Sequence, residues 1–242
     1  MAVNQSRAAA PYFLKCSQCS LRKLCLPDSI DSEGLAQLEE AIEPSAPYHD
    51  NQIVYEAEQC FDKIYAVKSG MFKTVTVDPE GNEHIVGFHL PGELFGLDAI
   101  YPGKYISTAI SISTSSLCEI HYSDLESLAA KLPSIQHQLL SLMSKEVHAS
   151  NALSMDQTAE QKLATFLLSL SSRYKQRDYS ESRINLIMPR RDIANYLNMA
   201  PETVSRLFKR FQKEGILDIK RTDLTITDMR ALTALGGCTG AC

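Results

Sequence analysis

The strongest constraint on this chain is the window 190–209, whose residue types fit a helix-turn-helix position by position. Ala194 stands where only a small side chain lets two helices approach each other. Asn198 stands at the turn, where the backbone needs a left-handed conformation that Asn tolerates. Pro201 falls in the first turn of the second helix, where its missing N–H costs no hydrogen bond. The window therefore predicts two short helices joined by a tight turn, with a small core of Ile193, Leu197, Met199, Val204 and Leu207.

The second predicted helix carries a polar face formed by Glu202, Ser205, Arg206 and Lys209 at helical spacing. Arg206 can donate two hydrogen bonds to a guanine, and Glu202 can accept one from a cytosine. Ser205 can contact a thymine or a phosphate. A solvated face with a Glu202–Arg206 pair is the alternative. A two-stranded wing is predicted downstream, and its agreement with the helices favours a DNA-reading helix; its strands are Leu217–Ile219 and Leu224–Ile226.

Charge divides the chain into two unlike parts. Residues 1–158 hold 10 Lys and Arg against 20 Asp and Glu, whereas residues 159–242 hold 14 against 9, within a net charge of -5. This asymmetry predicts an acidic sensing or assembly region joined to a basic one. There is no apolar run long enough to span a membrane and no signal-peptide core, so we expect a cytoplasmic protein.

The middle of the chain predicts an antiparallel β-barrel or sandwich, because short strand-like runs alternate with turn signals such as Pro91-Gly92 and Pro102-Gly103. A short amphipathic helix is predicted before it, over about 31–42. The first 14 residues carry little pattern. The predicted strands are Gln52–Tyr55, Ile64–Lys68, Phe72–Val77, Glu83–Leu90, Ile106–Ile112 and Ser116–His121.

A long helix is predicted to begin near Pro133. Its apolar residues approximate a coiled-coil stripe, which favours a homodimer seam because a helix-turn-helix reads a site well only as two copies. The alternative is a helix packed on its own barrel. The seam residues are Ile135, Leu139, Leu142, Met143 and Val147, with Ser150 further along the same helix.

Seven cysteines form an odd count in a chain that we expect to be cytoplasmic, so metal or redox chemistry is favoured over disulfides. Cys16, Cys19 and Cys25 supply three thiols within ten residues, and Cys118 is the best candidate for a fourth. Four thiolates suit zinc or an iron–sulfur cluster, and the arrangement of three local ligands with one remote ligand leans towards a cluster. We expect Cys60 to be a packed core thiol, and the tail cysteines Cys238 and Cys242 have no assigned role.

From about Cys16 to Leu235 the sequence resembles the fumarate and nitrate reduction (FNR) regulators, the oxygen-sensing branch of the cyclic-AMP receptor protein superfamily. The matching segments are CSQCSLRKLCLP, IYAVKSGMFKT, IVGFHLPGELFGLDAI, SSLCEI and RRDIANYLNMAPETVSRLFKRFQKEGIL. The cysteine set combined with ETVSR makes the resemblance specific.

The resemblance implies a [4Fe–4S] cluster on Cys16, Cys19, Cys25 and Cys118, which is destroyed by oxygen. With the cluster present, the protein would dimerise and bind a palindrome of TTGAT-like half-sites, activating or repressing transcription. Glu202, Ser205 and Arg206 would read the bases. The resemblance also implies that Ser20 and Leu24 modulate the cluster and that Gly81 lies in a loop that touches RNA polymerase.

Ser150 departs from the family, which often has an Asp at this place whose repulsion holds the cluster-free protomers apart. Less repulsion at this point of the seam predicts more dimer without cluster.

A cyclic-nucleotide receptor and a zinc-bound constitutive regulator are the alternatives. A nucleotide cassette needs a Glu for the ribose and an Arg-Ser pair for the phosphate. Here Leu97 stands at the first position, and Ser107-Thr108 stands at the second. Without the Arg, a buried phosphate would lack a charge partner, so we expect no cyclic nucleotide.

The predicted class is α+β, with a cysteine-rich segment (1–27), a jelly-roll β-barrel (28–132), a dimerisation helix (133–157) and a winged helix-turn-helix domain (158–242). An enzyme is the contrasting hypothesis. The sequence offers no nucleophile-plus-base arrangement and no Gly-rich phosphate loop, so we do not expect the protein to be an enzyme.

Overall fold

The computed structural model of the chain describes residues 15–27, 29–153 and 157–237, with the side chains of Pro44, Glu146 and residues 148–153 outside the description. In its N-terminal part a 3₁₀ turn, Cys16–Gln18, precedes two helices, and Asp31 caps the second of them by accepting from the Gly34 N–H. These helices are α1 (Arg22–Cys25) and α2 (Ser32–Ala41).

Residues 42–121 form an antiparallel jelly roll whose described strands pair in two four-stranded sheets. Its predicted strands are confirmed, and two of them, Phe72–Val77 and Ser116–His121, have the predicted bounds. The strands are β1 (Ile42–Pro44), β2 (Ile53–Tyr55), β3 (Lys63–Ser69), β4 (Phe72–Val77), β5 (Glu83–His89), β6 (Leu94–Phe95), β7 (Thr108–Ser111) and β8 (Ser116–His121). The order in one sheet is β1-β8-β3-β6, and the order in the other is β2-β7-β4-β5.

Two helices follow the jelly roll. The first, α3 (Tyr122–Lys131), was not anticipated, and it packs Leu125 and Leu128 beneath α2. The second, α4 (Pro133–Leu153), begins where predicted. No described helix is both long enough and apolar enough to cross a membrane.

The C-terminal part is a winged helix-turn-helix domain that begins with a complete capping box, in which Thr158 and Gln161 satisfy each other's backbone N–H groups. The two predicted wing strands pair antiparallel, and the short strand Arg183–Asn185 pairs along the second of them, so this sheet has three described strands. Its elements are α5 (Ala159–Lys175), β9 (Arg183–Asn185), α6 (Arg190–Tyr196), α7 (Pro201–Lys213), β10 (Leu217–Lys220), β11 (Asp223–Ile226) and α8 (Met229–Leu235).

One apolar cluster joins the jelly roll to the winged helix-turn-helix domain. Side chains of β4, β5 and the turns beside them are buried together with the core of the helix-turn-helix, so the two regions pack against each other rather than hang on a linker. The jelly-roll residues of this shared core are Met71, Val75, Ile85, Phe88 and Leu90.

Candidate functional site

Four cysteines from distant parts of the sequence line one apolar cavity. Cys16, Cys19 and Cys25 come from the N-terminal turn and α1. Cys118 comes from β8, where it pairs in register with Ala66 of β3. The structure therefore brings together the four cysteines that the sequence singled out, although Cys118 is far from the others along the chain.

Burial, followed by the proximity of Cys118, raises the pKa of the Cys16 and Cys25 thiols to about 12. Burial also raises the pKa of Cys118, whereas Lys68 opposes that change. These thiols would be protonated at neutral pH, and a cationic group bound among them would stabilise the thiolates instead. Within the described residues, no three His, Cys, Asp or Glu side chains approach closely enough to hold one metal ion.

The long helix α4 forms part of the same cavity. Gln138 and Leu139 line it together with the cysteines, and Ile135 is 4% exposed in the core beside them. The start of α4 is thus packed on its own protomer. This is the arrangement that the sequence analysis gave as the alternative to a dimer seam. Further along α4, Met143 and Val147 are exposed.

Several predicted seam residues therefore face inward. Ile135 is buried, and Leu139 and Leu142 are partly buried against the same core. Leu140, which the sequence analysis omitted, is 60% exposed beside Met143 and Val147. The helical spacing of three and four among these exposed residues was the available signal. The backbone of Ser150 lies in α4, but its side chain is outside the described residues.

The helix-turn-helix has the predicted construction. Asn198 adopts a left-handed backbone with φ of 53°, and Pro201 is the first residue of α7. Glu202, Arg206 and Lys209 are exposed on α7, while Ser205 is partly buried between them. The opposite face is buried, so α7 presents its polar side outward; the buried residues are Val204, Leu207, Phe208 and Phe211.

The interior of the jelly roll is filled with aromatic rings where a nucleotide cassette would be expected. Tyr55 and Tyr105 stack with ring centroids 3.8 Å apart. Leu97 and Ser107 are buried, and Thr108 accepts a hydrogen bond from the Ala57 N–H. None of these side chains carries a positive charge that could pair with a cyclic phosphate.

Three further residues have roles implied by the resemblance. Gly81 lies in the β4–β5 turn with φ of 87°, and in the described part of the chain no atom beyond its sequence neighbours lies within 4 Å of the position of a Cβ. Ser20 is exposed, and Leu24 packs on Gly92.

The expectation that Cys60 is a packed core thiol was wrong, because Cys60 is exposed at an isolated bridge with Lys104. The next residue, Phe61, takes the inward place and packs on Tyr105 and Tyr122. Cys238 and Cys242 lie outside the described residues, as do residues 1–14.

Contacts between the jelly roll and the helix-turn-helix were not anticipated. Lys73 of β4 forms an ion pair of 2.6 Å with Asp192 of α6. The Asn195 side chain accepts from the Ile85 N–H at 2.6 Å and donates to the Glu83 carbonyl at 2.7 Å. Sequence patterns predict elements but not which elements meet, so only the tertiary structure reveals this interface.

Comparisons with known proteins match both domains. Residues 161–235 match the Crp-like helix-turn-helix domain, and residues 46–131 match the cyclic nucleotide-binding domain. The chain is 40% identical over 223 residues to the regulatory protein HlyX of Actinobacillus pleuropneumoniae, covering 91% of this chain and 93% of HlyX. It is 38% identical over 229 residues to the fumarate and nitrate reduction regulatory protein of Escherichia coli, covering 93% of this chain and 92% of that protein.

Among solved structures, FixK2 from Bradyrhizobium japonicum superimposes with a TM-score of 0.73 at 27% identity. The match covers 83% of this chain and 99% of FixK2. FixK2 and this chain therefore share the arrangement of jelly roll, long helix and winged helix-turn-helix over the matched part.

Proposed function

The chain belongs to the fumarate and nitrate reduction regulators of the Crp/Fnr family, which are DNA-binding transcription regulators, and we propose that it responds to oxygen through a [4Fe–4S] cluster. The observation that carries the proposal is the convergence of Cys16, Cys19, Cys25 and Cys118 on one cavity beside α4.

The donor set fits such a cluster. Four thiols are soft ligands, and the surrounding side chains are largely apolar, as in sites that hold iron–sulfur clusters away from water. The four thiols line one cavity. A four-iron cluster held there would take one thiolate on each iron, whereas a zinc ion would take all four sulfurs at a single centre, so the iron, sulfide and zinc content of the protein distinguishes the two.

When bound, the cluster would supply a reaction with oxygen that ends in its loss. Loss of the cluster would then change the contacts among the residues that had held it. Cys16, Cys19 and Cys25 would no longer be tied to Cys118, and the N-terminal segment would lose its covalent link to β8. Because Gln138 and Leu139 of α4 line the same cavity, that loss would change the packing of α4 against the cysteine segment.

Helix α4 would form the dimer. The exposed residues Leu140, Met143 and Val147 provide an apolar stripe that a second copy could cover. Two copies of α7 would then read the two halves of a TTGAT-like palindrome through Glu202 and Arg206, with Ser205 and Lys209 beside them. A lone copy would bind such a site weakly.

Transcription would follow from contact with RNA polymerase, for which the exposed turn at Gly81 is the proposed surface. Activation or repression would depend on where the site lies in a promoter. We place this activity in the cytoplasm, where DNA is accessible and the reducing environment keeps cysteines available as ligands.

The test is to purify the protein without oxygen and to measure its visible absorbance, iron and sulfide. We expect a brown protein with about four irons and four sulfides per chain that binds the palindrome and loses colour and binding in air. Cys118→Ala should abolish the cluster and keep the fold. Cys60→Ala, the matched control at an exposed cysteine outside the cavity, should retain it.

A colourless protein holding stoichiometric zinc would overturn the cluster and support a constitutive regulator. A full cluster in Cys118→Ala would instead assign the fourth ligand to a cysteine of the C-terminal tail.

A further inference from the structure

The turn Pro91–Glu93, between β5 and β6, touches the cysteine segment on one side and the DNA-binding domain on the other. Two backbone hydrogen bonds hold it to β3: Gly92 N–H donates to the Val67 carbonyl at 2.7 Å, and Val67 N–H donates to the Glu93 carbonyl at 2.9 Å. The turn is therefore anchored in the jelly roll. A movement of the turn with the cysteine segment or with the DNA-binding domain would break its hydrogen bonds to β3.

On the cysteine side, Gly92 has φ of 85°, and a Cβ built there would stand 2.8 Å and 2.9 Å from side-chain carbons of Leu24. The Cys25 thiol lies 3.5 Å from the Gly92 carbonyl. Helix α1 thus rests on the backbone of the turn, with no side chain between them. A displacement of α1 would therefore change the contacts of Leu24 and Cys25 with the Gly92 backbone.

On the other side, the Glu93 carboxylate receives two arginines of the DNA-binding domain. Arg173 donates through Nε at 2.8 Å and through an Nη atom at 2.5 Å, and Arg177 donates at 2.7 Å. Arg177 also donates to the Pro91 carbonyl at 2.6 Å. These contacts attach the C-terminal end of α5 to Pro91–Glu93, because Arg173 lies in the last turn of α5 and Arg177 lies just after the helix.

Burial makes these contacts strong. The Arg177 side chain is 1% exposed and that of Glu93 is 20% exposed. Burial alone would oppose ionisation of Glu93, but Arg173 and Arg177 outweigh it and lower the pKa of Glu93 to about 2. Removing one partner from such a buried network leaves the other charges unsatisfied, so the network holds as a unit.

We propose that Glu93 and Arg177 are positioning residues that couple the cysteine site to the DNA-binding domain within one protomer, through the turn Pro91–Glu93. This rests on the proposed cluster site and adds a route from it to the helix-turn-helix that does not pass through the dimer seam. Ligation that fixes α1 would hold the turn, and the turn would hold α5. By reciprocity, docking of α5 would favour the α1 conformation that presents Cys25.

The test compares two interdomain ion pairs in the full-length, cluster-free, reduced protein. Arg177→Met and Glu93→Gln break the pair at the turn. Asp192→Asn breaks the Lys73–Asp192 pair, which also joins the jelly roll to the DNA-binding domain but has no contact with the turn among the described interactions. Amide hydrogen exchange is measured for residues 22–26, where the Leu24 and Leu26 N–H groups are hydrogen-bonded, and for α5 and α6.

We expect Arg177→Met and Glu93→Gln to speed exchange in residues 22–26 and in α5 by about fivefold or more, as loss of a charged hydrogen bond implies. Asp192→Asn should speed exchange in α6 and leave residues 22–26 within about twofold of the wild type. Circular dichroism checks that each variant folds. If Arg177→Met does not fold, the comparison uses Glu93→Gln alone.

Unchanged exchange in residues 22–26 for the folded turn variants would overturn the coupling, as would an equal effect of Asp192→Asn there. The proposed function fails by a different measurement, the absence of iron and sulfide in wild-type protein. The exchange comparison uses cluster-free protein, so the two failures are distinguishable.

Discussion

The Leu24 side chain lies directly over the backbone of Gly92, at a distance that leaves no room for a Cβ. Leu24 precedes the ligand candidate Cys25, and Gly92 precedes Glu93, which binds the DNA-binding domain. The contact between Leu24 and Gly92 therefore lies on the path between the cysteine segment and the DNA-binding domain, which the proposed function needs to connect.

Gly92→Ala should disturb this contact. A Cβ would meet Leu24 at 2.8 Å, and φ of 85° would strain any side chain. The backbone strain costs roughly 1–2 kcal/mol, and overpacking adds about 1–3 kcal/mol. Gly103→Ala is the control, because Gly103 also has a positive φ, but a Cβ built there meets no atom of the described residues within 4 Å apart from its sequence neighbours. Urea unfolding measures both, and equal losses would show that Leu24 yields freely.

Met143→Lys should weaken the dimer. The side chain is 41% exposed on the stripe with Leu140 and Val147, so a charge there would be buried against a second copy. We expect the dimer dissociation constant to rise about tenfold or more, equivalent to about 1.4 kcal/mol. Ser141→Lys, exposed on another side of α4, should leave it unchanged. Sedimentation equilibrium measures both variants, and an unaltered dimer in Met143→Lys would move the seam elsewhere.

Arg206→Ala should reduce discrimination between DNA sequences. Arg206 is exposed on the outer face of α7, where its guanidinium can reach a guanine. Loss of a bidentate contact should cost about 1–3 kcal/mol at one base pair and little at the others. Binding to a set of single-base variants of the palindrome measures this. A uniform loss on every sequence would mean that Arg206 contacts only phosphate.

Acid should destabilise the protein partly through His89. Burial, with a contribution from Arg173, lowers the pKa of His89 to about 4, so the folded state holds the ring neutral beside Thr74. The unfolded chain takes up a proton below about pH 6.5. Stability is therefore lost as the pH falls from about 6.5 to about 4, by about 3 kcal/mol.

His89→Phe removes the titrating group and should flatten the pH dependence of unfolding across that window. His49→Phe, at an exposed position, is the matched control and should keep the wild-type slope. Urea midpoints between pH 4 and pH 7 measure the effect, and a slope in His89→Phe equal to that of the wild type would contradict this assignment.

Much of the fold could be predicted because local chemistry specifies it. The turn at Asn198 and the strand Phe72–Val77 follow from backbone preference and apolar alternation, which act over a few residues. Helix α3 was missed because its weak pattern follows β8 without a turn signal. Cys60 was misassigned because sequence shows that a thiol lies beside Phe61 but not which of the two faces the core.

By itself, the sequence determined the family, the four cysteines and the polar face of α7, since each depends on residue types at fixed spacing. The tertiary structure decided which face of α4 remains open, with Ile135 buried and Met143 exposed. It also decided that Arg177 meets Glu93. These contacts join residues that are distant in sequence, and they exist only because packing of the whole chain brings the two domains together.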